Sequence, residues 1–536
     1  MTLIQGILIG MIYWLNACAF GGSTFELLWR YPINNVLWVG LILGDVPTAM
    51  IIGATIQPAY LGMLYLGSVM PADMCSAGIV PAACVLAYGM DTNTAIALAV
   101  PVSVLFAQLQ TIFKTLCSLC YRMADKAIEK RNYNMLGVIH LGVSALMKVA
   151  IFWAPMTILL LLGGDAISQA ANALPEFFQK GFSVCSKMMP AIGFAMIIKM
   201  IGKPALMPYF LAGYFFYGYT KLGSIAIGLV GFFLAWLSYT NKKKEEDGNI
   251  LSSFKVEGET EAYKGVVTKR DISKVWWRWL FGSHATDGYE RLKGLDFTWA
   301  MLPFLKKVYK DDPDELQLTL ARHNVYYNTT PDLGNAVIMG CVVSLEEQRA
   351  KDHSVPEEVI TNIKNGLMGP FAGIGDTMSY AVIRPIVFSF FISAGLSGNW
   401  WAGVAPTIIC WFIFNVAYGY FLYHYCYKLG TNAAVNLLHG NIFNKLIDFF
   451  SVLGMFAIGG IAAQNVSVIC GITMTFEDGT LFDLQSKLFD ALAPGMVGLI
   501  VTLLTWYYLY KGGKITYGIF GLIFIGLILG GFGVLA

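Results

Sequence analysis

The sequence predicts an all-α, polytopic membrane protein built from two helical modules with broken or re-entrant helices. Of its 536 residues, 56% are hydrophobic and 13% are charged, whereas soluble chains carry about a quarter charged residues. Residues 1–25 hold no charged side chain, 51–90 hold only Asp73, and 512–536 hold only Lys514. Runs of this length and polarity are typical of membrane helices, and lipid leaves the backbone of an open strand unsatisfied.

Composition divides the chain near residue 240. The first module, 1–240, is almost wholly apolar, and the segment 241–267 that follows reads NKKKEEDGNILSSFKVEGETEAYKGVV. This segment has too few large apolar residues to offset the entropy of ordering it, so it is predicted to be an exposed linker. Its lysines lie beside a membrane segment, which places it in the cytoplasm together with the basic residues of 114–131.

The second module, 268–536, begins with charged, amphipathic sequence over 271–365. These residues are expected to form helices that pack at the membrane surface or against each other. Apolar segments long enough to span a bilayer, the first of them at the margin, then follow at 381–398, 402–428, 450–471, 490–510 and 515–536.

Charge and motif content exclude several functions. A net charge of +2 gives no reason to expect nucleic-acid binding. The Cys117–Cys120 pair has no second pair and no nearby histidine, and the six histidines show no metal spacing, so neither a metal nor another cofactor is expected. His323 is interpreted as a surface or interface residue. An enzyme acting on lipid-linked sugars would need an acidic pair, and the one Asp-Asp, Asp311–Asp312, is typical of a helix cap.

Polar residues inside apolar sequence mark the predicted site, because an ionisable group at membrane depth is costly unless it faces a cavity or a partner. The stretch LGDVPTAMIIGATIQPAYLGMLYLGSVMPADMCSAG carries Asp45, Gln57 and Asp73 among glycines and prolines. Such density breaks helices, and broken helices hold small polar ligands near the midplane. Gln57 and Asp73 are therefore candidate ligand-binding residues. In the alternative, Asp45 caps a helix and Asp73 lies at a wet interface.

A second candidate region is GLMGPFAGIGDTMSYAVIRP, residues 366–385. It lacks the lysine and the preceding strand of a phosphate-binding loop. We expect a tight bend that leads into a membrane helix, with Asp376 near the helix N-terminus, where it could accept hydrogen bonds from sugar hydroxyls. In the alternative, Asp376 is a cap paired with Arg384. Asn328 lies in a further polar turn, NTTP, which alone is typical of a solvated helix end.

Longer motifs support a family resemblance. In the first module LGDVPTAMIIGATIQPAYLG and VMPAD resemble the IIC membrane component of the mannose/fructose/sorbose class of the bacterial phosphotransferase system. In the second module GYERLKGLDFTWAMLPFLKKVY, NTTPDLGNAVIMG, SLEEQRA, GLMGPFAGIGDTMSYAVIRP and APGMVGLIVTLLTWYYL resemble the IID component. The resemblance covers about 1–240 and 268–536, with the two components fused.

This resemblance implies a sugar permease in the bacterial cytoplasmic membrane, surrounded by membrane lipid and assembled as a homotrimer. Phosphoryl transfer would be carried out by separate IIA and IIB chains, so this chain would not itself be an enzyme. Gln57, Asp73, Asn328 and Asp376 are the expected sugar-binding residues, with Glu290 and Arg291 as further candidates at the cytoplasmic entrance. Mannose, glucose, fructose, sorbose and amino sugars are all handled within the class.

Two sequence departures and one alternative function stay open. The stretch HATDGYER stands where the IID pattern usually has a Trp-Asn type pair before Glu-Arg, and Gln57 stands where the family often has Glu. Both bear on the choice of sugar. The alternative function is an ion-coupled secondary sugar transporter, with Asp73 or Asp376 as the coupling carboxylate.

Overall fold

The computed structural model describes residues 1–18, 27–61, 72–163, 175–201, 204–222, 224–243, 267–353, 355–430, 442–475 and 481–536. Almost all of the predicted linker 241–267 lies outside the described residues. So does 62–71, which contains part of the predicted helix break between Gln57 and Asp73.

The described part of the first module is helical. Its helices are α1 Leu3–Cys18, α2 Leu27–Arg30, α3 Pro32–Leu43, α4 Val46–Tyr60, α5 Met74–Tyr88, α6 Thr92–Glu129, α7 Asn134–Gly163, α8 Glu176–Met188, α9 Pro190–Ile201, α10 Met207–Thr220 and α11 Ser224–Lys243. Asp45 caps α4 by accepting a hydrogen bond from Thr48 N–H at 3.1 Å, as the alternative reading of Asp45 predicts.

The second module is also mainly helical. Its helices are α12 Lys269–Gly282, α13 Gly294–Val308, α14 Pro313–His323, α15 Leu333–Asp352, α16 Glu357–Leu396, α17 Trp400–Lys428, α18 Ile442–Asn465, α19 Gln485–Leu492, α20 Met496–Tyr510 and α21 Ile515–Gly531. Asp312 caps α14, which confirms the cap predicted from the Asp-Asp pair.

Within the described residues, five helices are long and apolar enough to cross a membrane: α6, α7, the combined segment Glu176–Lys199, α16 and α17. The prediction of a polytopic helical membrane protein is confirmed. A broken span is present at α19 and α20, which meet at 62°. Gly495 at this break has a φ of +72°, a left-handed conformation that costs glycine little.

A small hairpin departs from the all-helical prediction. Strands β1 Thr473–Thr475 and β2 Leu481–Asp483 pair antiparallel, with Met474 opposite Phe482. They lie between α18 and α19. The membrane argument against open strands does not apply to this pair, because paired strands satisfy one another's backbone groups.

The glycine-rich stretch 366–385 is not a bend, so that prediction is wrong. It lies inside α16, a continuous 40-residue helix, and Asp376 begins a π-helical stretch that runs to Ile383. A Cβ added at Gly366 or Gly369 would meet nothing within 4 Å, so these glycines are open rather than close-packed. Each glycine in a helix interior costs about 1 kcal/mol relative to alanine. Packing contacts elsewhere along α16 offset this cost.

The two modules pack on each other through several helix pairs within the described residues, among them α10 and α11 on α18 and α8 on α21. Two further interfaces involve polar contacts of α3 and α6. At the first, the Asn34 Nδ2 group of α3 donates to Gly403 O at 2.5 Å, and the Tyr31 ring stacks on Phe388 with centroids 4.5 Å apart. At the second, the buried hydroxyl of Tyr121 lies 2.8 Å from Thr286 O and accepts a hydrogen bond from Gly288 N–H at 2.7 Å. Tyr121 thus holds the loop between α12 and α13 against α6.

Candidate functional site

Gln57 lies in the interior of the first module, against the beginning of α3. Its Oε1 accepts a hydrogen bond from Ile33 N–H at 3.1 Å, which satisfies one of the free donors in the first turn of that helix. Its Nε2 is also buried, and no described residue accepts a hydrogen bond from it. A buried amide whose two N–H donors are unused is suited to a ligand that brings acceptors of its own.

Asp73 lies at the start of α5, which is hydrogen-bonded to the first turn of α3. It caps α5 by accepting a hydrogen bond from Ser76 N–H at 2.8 Å, and its own N–H donates to Ser103 O at 2.8 Å. The side chain is fully buried, with the hydroxyl of Tyr13 beside the carboxylate. Asn35 of α3 donates to Cys75 O at 3.0 Å and so ties the capped end of α5 to α3.

In the second module, Thr330 brings the Asn328 turn to Asp376. The Thr330 hydroxyl lies 3.0 Å from Asp376 Oδ1 and 3.2 Å from Ala372 O. Asn328 is partly buried, and its N–H points at the Met368 sulfur at 3.4 Å. Asp376 remains exposed. The turn and the acid, far apart in sequence, therefore form one polar patch on α16.

Further buried charges lie around this patch. Lys293 donates to Thr329 O at 3.1 Å and interacts electrostatically with Asp376. Arg384 donates to Asp332 Oδ2 at 3.3 Å, and both side chains are fully buried. The ion pair of Arg384 is thus with Asp332, which caps the start of α15, rather than with Asp376. Arg384 also lies 3.9 Å from the centre of the Tyr380 ring.

Two neighbouring residues of the first module link its polar groups to those of the second. Arg30 interacts electrostatically with Asp73 in its own module and with His284 in the other. The Tyr31 ring stacks on Phe388, which follows Arg384 in α16. The Arg30–Tyr31 pair therefore marks the place where the two predicted half-sites approach each other.

Glu290 and Arg291 lie at the second interface. Arg291 makes a bidentate ion pair with Asp125 of α6, with both nitrogen–oxygen distances 2.7 Å, and also donates to Asn324 O at 2.8 Å. Glu290 is exposed, with an oxygen 3.4 Å from Arg291 Nε. The side chain of Arg291 thus contacts Asp125 across the module boundary and Asn324 and Glu290 in its own module, rather than Asn328 or Asp376.

Several residues of the site escaped the sequence analysis. Lys293 and Asp332 lie in the stretches RLKGLD and NTTPDLG, which are polar enough to be typical of solvated loops, yet both side chains are buried. Arg30 is half-buried in the apolar stretch LLWRYPI, so the rule that charged groups in apolar surroundings are functional applies to it from the sequence. His323 is predicted to lie at a surface or interface. The surface part of this prediction is wrong. His323 is fully buried between Phe297 and Glu346, whose carboxylate lies 2.8 Å from Nε2. Burial lowers the pKa of His323 to about 4, so the ring is neutral at neutral pH.

Comparison with known proteins decides the family. The family model described as "PTS system mannose/fructose/sorbose family IID component" matches residues 266–535, and that described as "PTS system sorbose-specific iic component" matches residues 3–237. The chain is a fused IIC–IID component of the mannose/fructose/sorbose phosphotransferase family. It is therefore a sugar permease of that system, and such IIC and IID components work with IIA and IIB chains. The predicted family and transport class are confirmed.

Individual relatives match one module each. The IID module is 33% identical over 251 residues to the sorbose-specific EIID component of Klebsiella pneumoniae, which covers 46% of this chain and 89% of the relative. The IIC module is 29% identical over 238 residues to the mannose-specific EIIC component of Escherichia coli, which covers 44% of this chain and 88% of the relative.

Two solved structures are also similar. One, titled "Structure of membrane protein", is 28% identical, with a TM-score of 0.46, and covers 51% of this chain and all of that one. The other, a complex of the mannose transporter ManYZ with microcin E492, is 28% identical with a TM-score of 0.29, and covers 50% of this chain and 98% of that one.

Proposed function

We propose that the sugar is held between Gln57 and Asp73 of the IIC module and Asn328 and Asp376 of the IID module. The observation that carries this proposal is the position of the Arg30–Tyr31 pair. The charge of Arg30 acts on Asp73 in its own module and on His284 in the other, and the Tyr31 ring stacks on Phe388 of α16. This contact between the modules supports a site shared by both.

The chemistry of these residues suits a polyol. An amide both donates and accepts, and a carboxylate accepts several hydrogen bonds, so the set can hold vicinal hydroxyls and be hydrated again after the sugar leaves. Gln57 has its free Nε2 donor, and Asp376 shares only one oxygen with Thr330. We further propose that the exposed Glu290, next to Arg291, lies at the cytoplasmic entrance, where the Arg291–Asp125 pair holds it in place.

We also infer the setting in which the permease works. The chain assembles as a homotrimer in the cytoplasmic membrane of a bacterium, with the linker 241–267 on the cytoplasmic side. Uptake becomes one-way because IIB, recharged by IIA, phosphorylates the sugar as it emerges. The IIC boundary at 240 and the IID boundary at 268 follow from the charge pattern of the linker.

The proposed site is tested by Asp73→Asn and Asp376→Asn. Each substitution removes a negative charge at nearly constant volume, so we expect at least a tenfold loss of sugar uptake with normal amounts of protein in the membrane. Asp91→Asn is the matched control, because Asp91 also caps a helix and asparagine caps about equally well. Normal sugar accumulation in both site variants would overturn the assignment.

The energy source is tested in membrane vesicles that contain this chain. With IIA, IIB, the general phosphotransferase proteins and phosphoenolpyruvate inside, radiolabelled mannose, fructose, sorbose or glucosamine should accumulate as its phosphate. Without IIA and IIB, an imposed proton or sodium gradient should drive little concentrative uptake. Strong gradient-driven uptake in the second preparation would favour the ion-coupled alternative.

A further inference from the structure

The loop Ser283–Gly288 between α12 and α13 is held by both modules. From its own module, Asp296 accepts hydrogen bonds from His284 N–H at 2.6 Å and from the Thr286 hydroxyl at 2.9 Å. From the IIC module, the buried ammonium group of Lys148 donates to Ala285 O at 2.8 Å. The loop contains the HATDG sequence in which this chain departs from the family pattern.

His284 has a left-handed backbone conformation, which is uncommon outside glycine although histidine adopts it more readily than most residues. Its φ is +69°, in the left-handed region that residues other than glycine seldom adopt and that recurs at functional positions. Its N–H is used by Asp296, yet its side-chain Nδ1 is buried and accepts no hydrogen bond from any described residue. The loop contacts therefore fix the backbone of His284 and leave one ring nitrogen unused.

The surroundings of His284 connect the two half-sites. The imidazole interacts electrostatically with Lys293, Asp287 and Arg30. Arg30 in turn interacts with Asp73, and Lys293 with Asp376. The charges of Arg30 and Lys293 thus act both on His284 and on the two acids of the proposed sugar site.

The chemical state of His284 also suits a neutral polyol. Desolvation by burial, together with the positive charge of Lys293, lowers the pKa of His284 well below its ordinary value. The ring is therefore neutral at neutral pH, with one nitrogen that donates and one that accepts. A sugar hydroxyl can form a hydrogen bond with either ring nitrogen. A cationic ligand would be repelled by the positive charges of Arg30 and Lys293.

We propose that His284 contacts the transported sugar through its unused ring nitrogen and helps to determine which sugar this permease prefers. This inference rests on the proposed sugar site and adds to it a residue of the loop that contains the sequence departure at Asp287 and Gly288. A residue at the boundary between two half-sites can contact hydroxyls of the sugar that neither half-site contacts alone. Replacing it should alter the ranking of sugars, because only sugars with a hydroxyl at that place lose a contact.

The test compares His284→Ala and His284→Asn in vesicles supplied with IIA, IIB and phosphoenolpyruvate, with radiolabelled mannose, fructose, sorbose and glucosamine as probes. For the sugar that the unmodified chain prefers, His284→Ala should raise KM about tenfold, which corresponds to one lost hydrogen bond, with kcat changed less than twofold. The least preferred sugar should show less than a threefold change. His284→Asn keeps a donor and an acceptor and tolerates the left-handed backbone, so it should recover most of the lost affinity.

His353→Ala is the matched control, since His353 also has a left-handed backbone, with φ +53°, but is exposed at the end of α15. It should leave every KM unchanged. Equal KM values and an unaltered sugar ranking in His284→Ala would overturn the inference. So would a uniform loss of kcat for all sugars together with a lowered melting temperature, which indicates a structural role only. If the unmodified chain transports none of the sugars with IIA and IIB present, the proposed function itself fails.

Discussion

Single residues of this permease show how charge is kept inside an apolar protein. Arg384 and Asp332 are both fully buried, and each would be costly alone. Their pairing, the ring of Tyr380 against the guanidinium and the hydrogen bond from Leu333 N–H to Asp332 make the arrangement tolerable. Because buried pairs depend on both partners, the pair is a sensitive place to test the structure.

Replacing Asp332 by alanine should be strongly destabilising. It leaves the Arg384 charge buried without its partner, which typically costs about 3–5 kcal/mol in the free energy of unfolding. Denaturant titration of the purified protein in detergent measures this change. Asp314→Ala removes an exposed ion pair with Arg131 and should have little effect. Similar losses for both variants would contradict the buried pairing.

Acid should weaken the start of α12 through Asp271. Burial by itself raises the pKa of Asp271, but hydrogen bonds from Lys307 and Thr268 outweigh it and lower the pKa to about 2. A lowered pKa means that the ionised group stabilises the folded state above the unfolded value near 3.8, and that this contribution is lost as pH falls towards 2.

The expected result is a difference in melting temperature between the unmodified chain and Asp271→Asn that is present at pH 6 and disappears near pH 2. Asp271 and Thr268 form a capping box, so asparagine should retain part of the cap but lose the ion pair with Lys307. A difference that stays constant down to pH 2 would show that the charge of Asp271 contributes nothing.

At the scale of secondary structure, α16 carries the most informative departure from the sequence prediction. Its glycines suggested a bend, yet the helix is continuous and changes to π-helical geometry at Asp376. π-Helical turns insert one residue into a helix and are frequent at functional sites. Here the turn begins at the acid that contacts Thr330.

Gly375 of α16 should tolerate no side chain. A Cβ at this position would lie 2.3 Å from the Thr330 hydroxyl oxygen, so Gly375→Ala must push Thr330 away from Asp376. We expect a several-fold loss of sugar uptake. At Gly366, where a Cβ meets nothing within 4 Å, alanine should leave uptake unchanged and stabilise the helix by about 0.5–1 kcal/mol. Equal uptake by both variants would show that the Thr330–Asp376 contact is not needed.

At the scale of the whole molecule, two modules that match separate relatives are held together by helix packing, chiefly of α10 and α11 on α18 and of α8 on α21, and by buried polar contacts. The Tyr121 hydroxyl accepts a hydrogen bond from Gly288 N–H, and Asp125 pairs with Arg291. The side chain of Asn34 donates to Gly403 O. These contacts do not require the linker. The fused chain thus has an interface of the kind that separate chains would need in order to associate.

Chains 1–243 and 267–536, produced together as separate polypeptides, should therefore co-purify in detergent from an affinity tag on either one. Combining Tyr121→Phe with Arg291→Ala should reduce the recovery of the untagged chain without abolishing it, because the packing of α10 and α11 on α18 is retained. Arg131→Ala, which removes an exposed contact between the modules, should leave recovery unchanged. Failure of the unmodified halves to associate would show that the linker is essential to the assembly.

The sequence by itself determined that this is a helical membrane permease of two modules. A long apolar run predicts a membrane span by itself. Each span is one stretch of chain that must cross the bilayer and satisfy its own backbone hydrogen bonds. For the same reason Gln57, Asp73 and Asp376 could be singled out as polar groups in apolar surroundings. The caps at Asp45 and Asp312 were also predictable, since a cap acts within one helical turn.

Only the tertiary structure decided which polar groups meet. Arg384 pairs with Asp332, Asp376 with Thr330, and His323 with Glu346, and the sequence does not indicate any of these pairs. The bond from Asn34 to Gly403 joins residues 369 positions apart. Such contacts depend on how whole helices pack, and helix packing is set by the sum of many side-chain contacts rather than by any local pattern.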